Sequence, residues 1–188
     1  EPPPKILITE VQIESAKGVY DEFIELYNPQ EEDVSLNGWS LQKATEKGGL
    51  SKKNFEASHI IPAKGYFLIA NQYATQDLLA LADMTHNSFS ISPDNTIFLV
   101  ASKEEIFSGA EQTIIDKVGF GESFAPENSP ALMPELGKTL GRKLAIATTS
   151  EQLTTTQTFQ DTDDNSLDFE TQFPSPHAKN IAMENLLE

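Results

Sequence analysis

The sequence predicts an all-β chain, built as an antiparallel sandwich or barrel. Short runs rich in Val, Ile, Phe and Tyr recur along it, and clusters of Gly, Pro, Asn and Asp separate them. Only one stretch has the composition and length of a helix, whereas alternating β-α units would need several. At 188 residues the chain is sized for one domain. A domain of about 150 residues buries roughly 70% of the surface its unfolded chain exposes.

The chain opens Glu1-Pro2-Pro3-Pro4, which favours extended polyproline geometry and reads as a linker over residues 1–4. With neither an initiator Met nor an apolar leader at its start, it reads as part of a longer polypeptide, or as the product of a removed leader. In KILITEVQIES the first residues are apolar on both faces. Val11 and Ile13 then alternate with Glu10, Gln12 and Glu14, which predicts a strand whose second half has one wet face. A second strand follows at Phe23 to Tyr27, with Ile24 and Leu26 on one side and Glu25 on the other.

The run VSL-NG-WSL places Asn37-Gly38 between apolar triplets, a signal for a two-residue hairpin. SHII and YFLIA are strands flanking PAKG, where Pro62 and Gly65 supply turn geometry. Residues 73–83 form the helix, burying Leu78, Leu79 and Ala82. TIFLVA, TIIDKVGF and KTLGRKLAI bring the set to about nine strands. The polar, Thr-rich residues 147–160 read as an edge strand, a surface loop or a spacer, and as the place to look for β-augmentation by a partner strand. Residues 181–188 read as a tail, helical for one turn or frayed.

Composition excludes several kinds of function. With 29 acidic against 13 basic residues the formal charge is −16, which repels nucleic-acid phosphates and anionic lipid alike. No apolar run approaches the roughly 20 residues needed to span a bilayer, so membrane insertion is not expected. There is no cysteine for disulfides, thiolate zinc sites or a thiol nucleophile. His59, His86 and His177 are too scattered to make a zinc set. A Gly-x-Ser-x-Gly elbow is missing, and GFGES lacks the strand-turn-helix context of a phosphate loop. An enzyme is therefore not expected, and no cofactor is implied.

Taken in order, ILITEV, DEFIELYN, VSLNGWSL and IPAKGYFLIAN resemble the lamin tail domain, with Glu10, Glu25, Leu26, Tyr27, Asn28, Leu36, Gly38, Trp39 and Leu41 matching residue by residue. The resemblance continues through FSISPDNTIFLV, IIDKVGFG, GKTLGRK and DTDDNSLDFETQFPSPHAKN, so that one domain spans residues 5–180. It implies an immunoglobulin-like antiparallel β-sandwich with one short helix. It also implies a binding or scaffolding role, like that of bacterial relatives that look like secreted or surface modules, often joined to hydrolases. The expected function is a non-catalytic module of a larger bacterial surface or secreted protein, located extracellularly, on the cell surface or in the periplasm. It would be monomeric within its longer chain and would tether or recognise a protein or glycan. The alternatives are a calcium-stabilised adhesion or spacer module, and an accessory domain of a secreted hydrolase.

Trp39 and Tyr27 could stack on a sugar or peptide, but a lone Trp after a turn is more often the largest anchor of a sandwich core. Glu10 and Glu25 could divide acid and base roles; the structural alternative is that each accepts hydrogen bonds at the sheet edge. Arg142, the only arginine, has a planar fork suited to a carboxylate, expected from residues 10–25. Asp161, Asp163, Asp164, Asn165 and Asp168 begin like an EF-hand loop, but Ser166 replaces the turn glycine and Gln172 the bidentate glutamate. A different calcium loop is one reading of this set. Side chains capping their own backbone, and so pinning the terminal segment to the sandwich, is the other and the preferred one.

Overall fold

In the computed structural model, residues 2–87, 89–108, 111–148 and 155–177 are described. Ten strands form two layers. One layer is a six-stranded sheet in the order β14-β11-β1-β2-β7-β8, made from β1 (Leu7–Gln12), β2 (Phe23–Tyr27), β7 (Tyr66–Asn71), β8 (Met84–His86), β11 (Thr139–Arg142) and β14 (Phe169–Gln172). The other is a four-stranded sheet in the order β10-β9-β4-β5, from β4 (Ser40–Ala44), β5 (Leu50–Asn54), β9 (Thr96–Val100) and β10 (Ile114–Gly119). Two ribbons complete the fold: β3 (Val34–Ser35) with β6 (Ile60–Ile61), and β12 (Leu144–Thr148) with β13 (Thr155–Phe159). All pairings are antiparallel except β7 with β8. This is the sandwich among the two architectures that the strand pattern predicts, in the immunoglobulin-like form that the resemblance implies.

Alternation decides which side chains meet between the layers. Ile8, Val11, Ile24, Leu26, Leu41, Ile97, Leu99 and Val118 lie in one core cluster together with Trp39, each buried side chain of this size contributing about 1.5–3 kcal/mol. A second cluster sits where α1 (Gln76–Leu81) packs Leu78 against Phe23, Leu68 and Ala70, with Leu79 and Ala82 half-buried beside them. Among the described residues no helix is long and apolar enough to cross a membrane.

Several local expectations change. The Asn37-Gly38 turn does not close a hairpin: β3 pairs with β6, and β4 pairs with β5 and β9. Trp39 N–H donates to Leu36 O (3.0 Å), and positive φ occurs at Gly38 (86°) but not at Asn37. That is type II geometry, not the doubly positive turn of a tight hairpin, and it passes the chain from the ribbon into the second sheet. The second half of β1 is not wet, because Glu10 and Gln12 are buried. KTLGRKLAI splits at Lys143 into β11 and β12. A second short helix, α2 (Asn165–Asp168), is added, and two brief 3-10 turns occur at Ile106–Ser108 and Glu111–Thr113. Pro2, Pro3 and Pro4 are exposed and outside any strand. Residues 149–154 of the Thr-rich stretch, residues 178–180 and the tail at 181–188 lie outside the described residues.

Candidate functional site

Two β-bulges organise the polar centre of the sandwich. The register of β1 on β2 shifts between Ile8 and Glu10, and that of β10 on β9 shifts between Ile114 and Asp116. Bulges re-aim groups that a regular ladder would hold. Ile8 N–H donates to Asp116 Oδ2 (2.6 Å), and Ile8 O accepts from Arg142 Nε (2.8 Å). Arg142 then makes five hydrogen bonds in all. Its Nη2 reaches both Asp116 oxygens (2.8 and 2.7 Å), and its Nη1 reaches Asp161 Oδ1 (3.2 Å) and Gln160 O (3.1 Å). The guanidinium also lies 4.5 Å from the Phe169 ring centre. Arg142 is thus the buried carboxylate fork that the sequence predicts, but its partners are Asp116 and Asp161. Residues 10–25 supply no carboxylate to it, because Glu10 and Glu25 are turned toward another segment.

That segment is a strap at residues 174–177 laid over β1 and β2. Glu10 accepts from Thr139 Oγ1 (2.7 Å), Ser175 N–H (2.9 Å) and Ser175 Oγ (3.0 Å). Glu25 accepts from Thr9 Oγ1 (2.8 Å) and His177 N–H (2.7 Å), and its Oε2 lies 3.0 Å from His177 Nδ1. The imidazole stacks flat on Tyr66, with ring centres 3.8 Å apart. Burial raises the Glu10 carboxyl pKa, and the Thr139 and Ser175 bonds offset part of that rise. The pair faces one another across the ladder, as Glu10↔Glu25, but its oxygens hold the strap. The hydrogen-bonding alternative describes it.

The remaining predicted residues serve the fold. Asn28 Nδ2 donates to Glu32 O, Ile61 O and Pro62 O while its Oδ1 accepts from Gln30 N–H, closing the β2–β3 loop onto β6. Gly38 supplies the positive φ of the turn, and Trp39 is a core residue. Tyr27 is buried against Tyr66 and Phe159, so Trp39 and Tyr27 make no stacking platform.

The acidic segment is not gathered around one point. Asp161 binds Arg142 and Lys5; Asp164 caps α2 by accepting from Ser166 N–H (3.0 Å); Asp163 adopts positive φ in the turn. Asn165 Oδ1 accepts from Gly119 N–H and Glu127 N–H, and its Nδ2 donates to Lys117 O, stitching α2 to the second sheet. Asp168 accepts from Thr162 N–H and Thr162 Oγ1. Among the described residues the carboxylates that do converge, within 4.8 Å, are Asp116, Glu127 and Asp161; two of them are bonded to Arg142. Asp163, Asp164, Asn165 and Asp168 are replaced in that trio by residues the sequence reading passed over. The signal for Asp116 was available: a carboxylate set two residues before Val118 on the inward face of TIIDKVGF.

One concave surface escaped the sequence reading altogether. Beside α1, Gln12, Phe23, Leu78, Leu81, Pro174 and Pro176 line a groove of about 330 Å³, with Ser15, Lys17, Asp21 and Asp77 on its rim. Gln12 is only 4% exposed, and its Oε1 has no hydrogen-bond partner among the described residues. Asp21 joins the two rim loops, accepting from Ser15 Oγ (2.6 Å) and Thr75 N–H (2.7 Å). On those loops Val19, Tyr20 and Tyr73 stand 64%, 54% and 64% exposed, the tyrosine ring centres 5.6 Å apart.

Three comparisons place this architecture. The sequence pattern of the Lamin Tail Domain matches residues 1–122. Among solved structures the chain is similar to a DUF4876 family protein from Bacteroides thetaiotaomicron, with 14% identity, 88% of this chain and 70% of that one covered, and a TM-score of 0.61. That likeness shows a shared fold. A search of curated proteins finds no match. The family is one of immunoglobulin-like, non-enzymatic domains. With its pattern matched over the first 122 residues and its sandwich in place, this chain belongs to the Lamin Tail Domain family.

Proposed function

We propose that the domain is a non-catalytic interaction module of a larger bacterial surface or secreted protein, tethering a neighbour or recognising a protein or glycan through the groove beside α1. The observation that carries this reading is the exposed Val19, Tyr20 and Tyr73 set next to an apolar-floored groove. Tyrosine supplies a large contact area at low entropic cost, and contiguous exposed apolar surface marks interaction sites. A spacer would have no use for it. The state of the carboxylates supports the non-catalytic half of the reading. Glu10, Glu25, Asp116 and Asp161 already accept structural hydrogen bonds, which commits these carboxylates to holding the fold even though Glu10 and Glu25 border a hollow of about 610 Å³.

The test is photo-crosslinking from a benzophenone side chain at Val19 in the full-length protein on its producing cell, paired with a glycan array for the isolated domain. The reading expects one dominant adduct or one glycan class, lost on combining Tyr20→Ser with Tyr73→Ser. Signals in neither assay, or signals indifferent to the double substitution, would overturn it.

A further inference from the structure

Strand β5 ends the four-stranded sheet, with β4 its only partner among the described residues. Its register fixes which backbone groups face outward. Thr45 N–H donates to Gly49 O, and Phe55 N–H donates to Trp39 O, so the pairs that exchange ladder bonds with β4 are those at odd positions of β5. The N–H and C=O groups of Leu50, Lys52 and Asn54 therefore point away from the sheet. Around them the surface is basic, although the protein carries a charge of −16. Lys52, Lys53 and Lys103 line a hollow of about 590 Å³ together with Asn37, Asn54 and a single carboxylate, Glu56. Lys52 Nζ donates to the backbone carbonyl of Lys103 (2.6 Å), and Lys103 is itself exposed beside the edge.

The other edges differ. β8 has three residues and β14 carries Glu170. The outer side of β10 is engaged by Asn165 and by the Asp116 contact to Ile8. β13, in the Thr-rich stretch, has no charged residue.

We propose that β5 accepts an acidic, extended segment of a partner protein as an added strand. Its main chain would bond to Leu50, Lys52 and Asn54, and its carboxylates would meet Lys52 and Lys103. Lysines on an edge strand disfavour pairing with another copy of the same edge. The same charges favour an acidic strand, and this surface is separate from the groove beside α1.

The probe is a short fluorescent peptide alternating Glu and Thr, so that its carboxylates share one face. Binding should protect the amides of Leu50, Lys52 and Asn54 from hydrogen exchange, while those of Ser51 and Lys53, already bonded to β4, stay unchanged. Combining Lys52→Glu with Lys103→Glu should weaken binding at least tenfold. Lys52→Pro removes one outward donor without touching the β4 ladder, and it should abolish binding with Ser51 and Lys53 still protected. An N-methylated peptide of equal charge tests the main-chain bonds on the unaltered protein. Three outcomes would overturn the proposal: no binding at millimolar peptide, equal binding of the N-methylated peptide, or concentration-dependent protection of the same amides without peptide, which would make a second copy the occupant.

Discussion

Arg142 and His86 stand near opposite edges of the same six-stranded sheet, both buried, and the fold treats them in opposite ways. Arg142 cannot lose its proton, so its guanidinium is matched by the Asp116 carboxylate, Asp161 and two carbonyls. His86 can lose its proton, and both of its ring nitrogens are buried with no hydrogen-bond partner among the described residues, the imidazole packing T-shaped with Phe89. Burial, aided by Lys53 and Lys43, lowers its pKa to about 4. A permanent charge forces a network, whereas a titratable group is tolerated by being neutralised.

Arg142→Leu should cost the domain most. Asp116 and Asp161, together with Asp168, whose Oδ2 lies 3.8 Å from Arg142 Nη1, would be left buried or half-buried around an apolar side chain, at an expected loss of about 3–5 kcal/mol in urea unfolding. Adding Asp116→Leu should recover part of that loss, since the cost is an uncompensated charge and not a missing contact. A loss below about 1 kcal/mol for the single variant would end the contrast.

His86→Leu should relieve a pH-dependent cost. As pH falls below 6.5 the unfolded chain takes up a proton that the folded chain refuses until about 4, so the native protein loses stability through that window. The variant should lose none of this and gain about 2 kcal/mol at pH 4.5, read as a flattened profile of thermal midpoint against pH.

Glu127→Gln tests whether the Arg142 centre carries more acid than one guanidinium can hold. Burial and the nearby Asp116 charge raise the Glu127 carboxyl pKa to about 7. The folded state therefore keeps a proton that the unfolded state has released, and stability falls as pH rises from about 4.5 to 7. The amide should remove that slope and stabilise the domain by about 1 kcal/mol at pH 8. Smallest of all, Tyr20→Ser with Tyr73→Ser should change stability by less than about 0.5 kcal/mol, since both rings are exposed, while removing partner binding.

The sequence was most legible where a pattern is local. Phe23–Tyr27, Tyr66–Asn71 and Thr96–Val100 are runs of β-branched and aromatic residues, and each is a strand with few possible readings. Leu50–Asn54 was not legible: LSKKN has low β-propensity and becomes a strand only because β4 offers its ladder. The apparent wet face of β1 failed for a related reason. Glu10 is polar by sequence but is covered by Ser175, which lies 165 positions away. The groove beside α1 is composed of Gln12, Phe23, Leu78 and Pro174, and no spacing rule connects these residues.

Legible in the order of residues alone are the all-β class, the place of Trp39 in the core and the need of a single arginine for carboxylates. Periodicity and the cost of burying charge act on each residue wherever it ends up. Only the folded chain brings Arg142 to Asp116, lays the strap on Glu10 and Glu25, and leaves β5 open with lysines beside it. These outcomes depend on two bulges and on the order of strands within each sheet, and strand order arises from contacts between segments far apart in the chain.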